Sequence, residues 1–265
     1  MAELETRDFL ERASVFTTEE FRRAVGGAVA GSTVNNRLHQ ARRRGYLETI
    51  RPGLHVSRVG FLRDRLPDPF VLAAKLASDS LISYHSALES HGLAHSPFRR
   101  VTFLTASSVS AFEYQGYEFV PLPPPAGLRR KGVWRMMSET VRRGTEPVCV
   151  TSRERTVVDC LDRLRWSGGI EELLRSLSSI PSLDVQRLLG YLDMLGSASA
   201  VARLGWVLFS APERWYLGEE DRTAFQRRLG KGPYFMGQRQ GELAFVPEWR
   251  LYVPAGLANH DLLSV

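Results

Sequence analysis

The chain has 265 residues, which favours one large or two unequal domains over a single small module. Its hydrophobic fraction of 43% and aromatic fraction of 10% exclude a globally disordered chain. The two cysteines, Cys149 and Cys160, are too few for a disulfide framework or a four-thiolate zinc site. Because the sequence shows neither a signal peptide nor an apolar run of about 20 residues, we expect a cytoplasmic protein without a membrane span.

Positive charge is concentrated near the N-terminus. The net charge of the chain is +6, yet the segment from Phe21 to Gly60 alone holds eight arginines against one acid, Glu48, a local balance of +7. Arginine-rich composition also arises from a GC-rich genome, and a solvated helix face is the alternative interpretation of a basic segment. Such a concentration is nevertheless what a phosphate backbone attracts.

The first predicted helix with a clear start follows Thr17. Thr17 can cap this helix while Glu20 reaches back to the backbone N–H of the cap, and Phe16 can act as a hydrophobic staple. The helix is expected to stop at Gly26-Gly27.

A second helix is predicted from Ser32 to Arg44, capped by Ser32 or Thr33 and ended by Gly45. Helical spacing places Val34, Leu38 and Ala41 on one apolar stripe. The opposite face collects Ser32, Asn36, His39, Gln40 and Arg43, flanked by Thr33 and Asn35. Asn and Gln can pair with adenine and Arg with guanine, and hydroxyls at a helix start suit a phosphate. No acid occurs between Ser32 and Tyr46, which favours DNA recognition over an ordinary exposed helix.

Alternating residues on either side of Arg51-Pro52-Gly53 predict a β-hairpin, with Arg51 at its tip. Helices followed by a basic helix and a hairpin give the order of a winged helix-turn-helix; a winged helix used only for protein contacts is the alternative. The predicted DNA-binding residues are Ser32, Thr33, Asn35, Asn36, Arg37, His39, Gln40, Arg42, Arg43, Arg44 and Arg51.

We therefore predict an α+β protein with a winged helix at residues 1–62, a linker from Arg58 to Asp68, and a larger mixed α+β domain at 68–265. Helices of the larger domain are expected at 70–78, 83–91, 169–179, 184–195 and 198–209, with another, capped by Thr151 or Ser152, that holds 157–164. Strands are expected near 100–105, 116–121, 147–150, 243–246 and 250–253.

Motif searches predict no catalytic site. The residues two positions before the three lysines are Ala73, Arg129 and Leu229, so the acid-x-Lys pattern of nucleases is absent. Neither Gly-Ser pair is followed by the spaced acids of a nucleotidyltransferase, and Gly230-Lys231 lacks the Ser or Thr of a phosphate-binding loop. We expect a non-enzyme without cofactor or metal.

Other polar residues of the larger domain are interpreted as structural. His85, His91 and His95 lie near one another, but Gly92 and Pro97 would break the helix that a zinc site there needs. The two cysteines are expected to be buried thiols. Asp159 and Asp162 are expected to form salt bridges with Arg155 or Arg163.

Several segments resemble the AbiEi family, the antitoxins of type IV toxin–antitoxin systems and their solitary regulator relatives. The similar passages, in the order in which that family has them, are FTTEEFRRAVG (16–26), STVNNRLHQARRRGYLETIRPGLHV (32–56), ISYHSALESHGLAHSPFRRVTFLT (82–105), TSRERTVVDCLDRLRWSGGIEELL (151–174) and SASAVARLGWVL (197–208). Within them, Ser86 to Leu93 is similar to a Ser-Ala-Leu-Glu-x-His-Gly-Leu segment of the family, and Glu154, Arg155, Thr156 and Asp159 to a Glu-Arg-Thr…Asp block.

The resemblance implies a bacterial autorepressor that binds inverted repeats of double-stranded DNA in its own promoter. It also implies an antitoxin that counters a nucleotidyltransferase toxin, generally without a stable complex. Two alternatives stay open: a stand-alone regulator whose larger domain dimerises or senses a ligand, and an enzyme of unknown motif with a DNA-targeting module.

Overall fold

The computed structural model describes residues 2–25, 31–237 and 239–258. Its N-terminal unit holds three helices and a three-stranded antiparallel sheet of order β1-β3-β2. This is the order and pairing of a winged helix, as the sequence predicts. The elements are α1 (Ala2–Arg12), β1 (Val15–Thr17), α2 (Thr18–Ala24), α3 (Gly31–Arg43), β2 (Leu47–Arg51) and β3 (Leu54–Ser57).

The predicted start of α2 is confirmed. The backbone N–H of Glu20 donates to Thr17 Oγ1 at 3.1 Å, and the Thr17 N–H donates to the Glu20 carboxylate at 2.7 Å. Phe16 and Phe21 are fully buried with ring centroids 6.1 Å apart, the contact expected of a hydrophobic staple. The stop predicted at Gly26-Gly27 lies outside the described residues.

The ends of α3 correct one prediction and confirm another. The helix already includes Gly31, so Ser32 and Thr33 lie inside its first turn, and the prediction that either caps it is wrong. The end is as predicted: the Gly45 N–H donates to Arg42 O and the Tyr46 N–H to Ala41 O. Gly45 has φ +71°, which a residue without Cβ adopts at no steric cost, and the bond pattern is a Schellman motif.

The larger unit is built on a six-stranded mixed sheet of order β6-β7-β5-β4-β9-β8. Helices α5, α9 and α10 pack around α7, which forms the centre of the main apolar core. A second small sheet has the order β10-β12-β11. The elements are α4 (Pro69–Ala74), β4 (Leu81–Ile82), α5 (His85–Ser90), β5 (Arg100–Leu104), β6 (Phe112–Tyr114), β7 (Tyr117–Leu122), α6 (Ala126–Arg130), β8 (Ser138–Arg143), β9 (Glu146–Thr151), α7 (Arg153–Asp162), α8 (Ile170–Ser178), α9 (Val185–Leu195), α10 (Ala198–Phe209), α11 (Glu219–Gln226), β10 (Tyr234–Phe235), β11 (Leu243–Val246), β12 (Leu251–Pro254) and α12 (Ala255–Ala258).

Most predicted elements of this unit are present, but three boundaries differ. The helix predicted at 70–78 ends at Ala74. The Ala73 carbonyl there accepts from the Leu76 N–H at 3.3 Å and from the Ser80 hydroxyl at 2.8 Å. The helix predicted at 83–91 begins only at His85, because Tyr84 has φ +56° and cannot be helical. The helix after Ser152 ends at Asp162, before Leu164.

The two units share an apolar cluster. Val15, Leu54 and Val56 of the small sheet belong to the same buried cluster as Phe70 and Val71 of α4. The segment predicted as a linker, Arg58 to Asp68, contains a 3-10 turn with Leu62 buried, and Asp68 caps α4. Its two ends and Leu62 are therefore packed, whereas residues 60–61 and 63–66 are exposed.

Polar bridges reinforce this junction. Lys75 Nζ lies 2.8 Å from Glu20 of α2 and 3.2 Å from Glu146 of β9. Arg58 donates to Glu48 and to the Tyr114 hydroxyl at 2.7 and 3.0 Å. The junction thus combines apolar burial with ion pairs that cross it.

Candidate nucleic-acid interface

The outward face of α3 is polar, exposed and free of acids. Val34, Leu38 and Ala41 are at most 7% exposed and hold the opposite side of the helix on the core, as predicted. The predicted contact residues that are exposed on this helix are Ser32, Thr33, Asn35, Asn36, His39, Gln40, Arg42, Arg43 and Arg44. The face therefore offers donors and acceptors that could reach the base edges in a major groove.

Glu19 of α2 is paired with two arginines of the same helix. Glu19 on α2 accepts hydrogen bonds from Arg22 at 2.8–2.9 Å and from Arg23 at 3.2 Å, and these bonds lower the pKa of the Glu19 carboxyl. Arg42 and Arg43 lie in the last turn of α3, where the helix dipole favours cations. Residues 1–62 hold ten arginines against seven acids, so the unit carries a net positive charge.

Arg37 and Arg44 flank the polar face on the side of α1. The Arg37 side chain is only 20% exposed, and its Nη1 lies 3.7 Å from the Glu5 carboxylate of α1. Arg44 lines, with Arg7, Gln40 and Tyr46, a groove of about 190 Å³. The structure thus turns Arg37 away from the exposed face, which the helical spacing alone did not indicate.

The hairpin is short and its tip rests on the larger unit. Pro52 and Gly53 form a two-residue turn, with Gly53 at φ +80° and its carbonyl accepting the Thr18 N–H at 2.9 Å. The Arg51 guanidinium lies 5.2 Å from the Phe112 ring centroid, and its Nη1 is 3.4 Å from Ser110 O. Arg51 is one of the predicted DNA-binding residues; in the structure its side chain is engaged within the protein.

A buried histidine ties the hairpin to α2. His55 is 6% exposed, with Nε2 2.9 Å from Thr18 Oγ1 and Nδ1 3.0 Å from Thr49 Oγ1. Its ring stacks on Phe16 with centroids 5.3 Å apart. Burial lowers the pKa of His55, and repulsion from Arg42 lowers it further. The sequence analysis assigned no role to His55. Its position in the predicted hairpin, across from Thr49, was the signal that could have indicated its buried contacts.

His85 and His91 of the larger unit have structural partners. His85 lies with one ring nitrogen 3.1 Å from Glu89 and the other 3.1 Å from Glu172, and stacks on Phe98 at 3.9 Å. His91 Nε2 donates to Thr151 O at 2.8 Å. Within the described ranges no group of three or more His, Cys, Asp or Glu residues is placed to hold a metal ion. As predicted, the helix ends at Ser90 before Gly92.

The predicted salt bridges of α7 are confirmed. Arg155 and Asp159 are both almost fully buried and lie 3.1 Å apart, and the Tyr191 hydroxyl donates to Asp159 at 2.6 Å. Asp162 and Arg163 are 3.9 Å apart. Cys160 is buried as predicted, and burial raises the pKa of its thiol well above the usual value. Cys149 was also predicted to be buried but is only half-buried. These residues hold the core of the larger unit.

No helix in the described parts of the chain has the length and apolar character needed to cross a bilayer.

Comparison with solved structures gives a similarity that covers nearly the whole chain. The crystal structure of the Rv2827c protein from Mycobacterium tuberculosis matches with a TM-score of 0.61 and 19% sequence identity, over 94% of this chain and 90% of that one. At this identity the likeness shows the fold alone: an N-terminal unit of helices and a three-stranded sheet, followed by a larger domain with a mixed sheet. No protein-family model and no curated protein matches the chain.

Proposed function

We propose that the protein is a transcriptional regulator that binds double-stranded DNA through α3. The observation that carries the proposal is the exposed, acid-free face of that helix, held outward by a buried apolar stripe. An α-helix fits the major groove of B-DNA, and the second helix of a helix-turn-helix is the one that reads bases. Asn36 and Gln40 would pair with adenine and Arg43 with guanine, while Arg42 and the first turn of α3 would contact phosphates.

The more specific proposal is an autorepressor and antitoxin of a bacterial type IV toxin–antitoxin system. It rests on the resemblance of five ordered segments to the AbiEi family. Two of these segments form α5 and α7, which pack on each other, and Glu154, Arg155, Thr156 and Asp159 are buried there. Their pattern therefore supports a shared core rather than a shared toxin-countering surface. On this proposal the DNA site is an inverted repeat in the promoter, and the functional partner is a nucleotidyltransferase toxin that is not held in a stable complex.

A second candidate function is a stand-alone regulator whose larger domain binds a small molecule. A cleft of about 770 Å³ in that domain favours it, because ligand sites commonly have this size. The two candidates share the DNA-binding step and differ in what the larger domain does.

The first experiment measures binding of the full chain to its own promoter DNA by fluorescence anisotropy. Asn36→Ala and Arg43→Ala should each weaken specific binding by about 1–3 kcal/mol, because each removes a base contact. Arg129→Ala is the matched control, since Arg129 is exposed on α6 of the larger unit and should not matter. If both α3 variants bind the promoter as tightly as the wild type, α3 is not the recognition helix.

The antitoxin role needs its own test. A nucleotidyltransferase encoded beside this gene should arrest growth when expressed alone, and co-expression of this protein should relieve the arrest. If the antitoxin activity belongs to the larger domain, the α3 variants should relieve it as well. If growth arrest persists although the protein binds its promoter DNA normally, the protein is a regulator without antitoxin activity. Reproducible cutting of bound DNA with Mg²⁺, absent without Mg²⁺, would instead show an enzyme.

A further inference from the structure

A cleft of about 770 Å³ opens in the larger domain, away from α3. It lies where the end of α7, the start of α8, the middle of α10 and the small sheet meet. Its size is within the range of roughly 300–1,000 Å³ that small-molecule sites occupy.

The charges around this cleft do not balance. Among the residues that the structure describes, Arg163, Arg165 and Arg203 line it together with one carboxylate, Asp162. Asp162 accepts a 2.5 Å hydrogen bond from Ser197 and is 3.9 Å from Arg163 Nε, too far for a hydrogen bond to that guanidinium. The lining therefore has a surplus of two positive charges, which an anion could compensate.

Arg203 is held in place without a carboxylate. Its Nε donates to Phe235 O at 2.8 Å, and its Nη1 donates to the carbonyls of Leu161 and Asp162 at 2.7 and 3.0 Å. Within the described ranges it forms no salt bridge, and its Nη2 makes no hydrogen bond. Burial lowers the pKa of this guanidinium, with Asp162 opposing the shift. A half-buried cation fixed by carbonyls is already oriented to receive an oxyanion.

The rest of the cleft wall is largely apolar. Leu164, Ile170 and Pro254 contribute hydrophobic surface beside the arginines, and the buried Met236 lies behind them. A free inorganic ion would leave this surface exposed to water, whereas a ligand with an apolar body would cover it.

We propose that this cleft binds a small organic phosphate, with the phosphate on Arg203 and its neighbouring arginines and the apolar body on Leu164, Ile170 and Pro254. A phosphate dianion matches the surplus of two positive charges. Arg203 can donate to it through Nη2, and the guanidinium groups of Arg163 and Arg165 can each donate further hydrogen bonds. This site is independent of DNA binding by α3, so the failure of either proposal leaves the other standing.

The test is isothermal titration of the full chain with 1-naphthyl phosphate as the probe. We expect one equivalent to bind. 1-Naphthol, which lacks the charge, and inorganic phosphate, which lacks the apolar body, should each bind at least about tenfold more weakly. 1-Naphthoate distinguishes a phosphate site from a carboxylate site. If it binds as tightly as 1-naphthyl phosphate, the choice of phosphate is overturned; weaker binding supports that choice.

Variants locate the site. Arg203→Gln should weaken binding of 1-naphthyl phosphate at least about tenfold. Because Arg203 also donates to three carbonyls, Arg163→Gln is the second variant. Among the described residues the Arg163 side chain makes no hydrogen bond, and it lies 3.9 Å from Asp162, so the fold should be kept while binding falls. Arg129→Gln on α6 is the matched control and should bind as the wild type does. Unchanged affinity in Arg163→Gln and Arg203→Gln, naphthol binding as tight as that of the phosphate, or no binding of 1-naphthyl phosphate at millimolar concentration would overturn the proposal.

Discussion

Two arginines of the N-terminal unit, Arg42 and Arg51, face different surroundings although the sequence predicts the same role for both. Arg42 is exposed at the end of α3, whereas Arg51 lies over the Phe112 ring of the larger unit. A phosphate contact releases counterions, so its loss flattens the dependence of affinity on salt. We expect Arg42→Ala to weaken binding to all DNA sequences and to reduce the logarithmic salt slope by about one.

Arg51→Ala is the comparison for this measurement. Since its guanidinium is already engaged by Phe112 and Ser110, we expect its salt slope to equal that of the wild type. The salt slopes are obtained by titrating each variant with promoter DNA and with unrelated DNA at several salt concentrations. A slope lowered equally in both variants would mean that the hairpin tip leaves Phe112 when DNA binds.

The stability of the N-terminal unit should depend on pH through His55. Its pKa is lowered in the folded state by burial and by Arg42, so the unfolded chain takes up the proton at a higher pH than the folded chain does. Stability is therefore full above about pH 6.5, the usual value for histidine, and falls as the pH drops towards the folded-state pKa. His55→Asn should be less stable at neutral pH but should lose less stability between pH 7 and pH 5.

Urea unfolding at several pH values, followed by circular dichroism, measures this difference. The quantity to compare is the change in unfolding free energy between pH 7 and pH 5, since the variant also loses hydrogen bonds to Thr18 and Thr49. An equal change in both proteins would show that His55 does not couple folding to pH.

At the scale of elements, α10 shows why one glycine is required. A Cβ on Gly205 would lie 2.2 Å from the ring of Trp249, which is buried and stacks on Phe209. In an exposed helix a change from Gly to Ala is stabilising, but here the added methyl group must displace a buried indole. We expect Gly205→Ala to lower the free energy of unfolding by about 1–3 kcal/mol.

Gly190 of α9 is the matched control, because a Cβ there meets no atom within 4 Å. Gly190→Ala should raise the free energy of unfolding by about 0.5–1 kcal/mol. Denaturant titrations of the two variants should thus move in opposite directions. If Gly205→Ala is as stable as the wild type, the small sheet can shift away from α10.

Elements with strong periodicity were predictable from the sequence, and those defined by distant partners were not. Helices α8, α9 and α10 carry long apolar stripes, and they were predicted to within one residue at each end. Strand β8, Ser138–Arg143, was missed because it is an exposed edge strand whose charged sequence has no buried alternation. In the candidate interface, the polar face of α3 followed from local spacing. The positions of Arg37 and Arg51 did not, because their neighbours Glu5 and Phe112 come from other parts of the chain.

The two units of the molecule are joined closely enough that they should unfold together. Val15, Leu54 and Val56 share a buried cluster with α4, and Lys75 bridges Glu20 and Glu146 across the junction. When the DNA-binding unit is fixed in this way, α3 has a defined orientation relative to the larger domain. Two copies could then match an inverted repeat only at a restricted spacing.

Tryptophan fluorescence tests this coupling, because all five tryptophans lie in the larger unit, beginning with Trp134. Leu10 is fully buried in the separate core of the N-terminal unit, so Leu10→Ala should cost about 2–5 kcal/mol there. If the units unfold as one, this variant lowers the urea midpoint seen by tryptophan fluorescence as much as the midpoint seen by circular dichroism. A fluorescence midpoint that stays at the wild-type value, while circular dichroism shows an earlier loss of helix, would mean that the N-terminal unit unfolds alone. In that case the orientation of α3 would be free to vary with the DNA site.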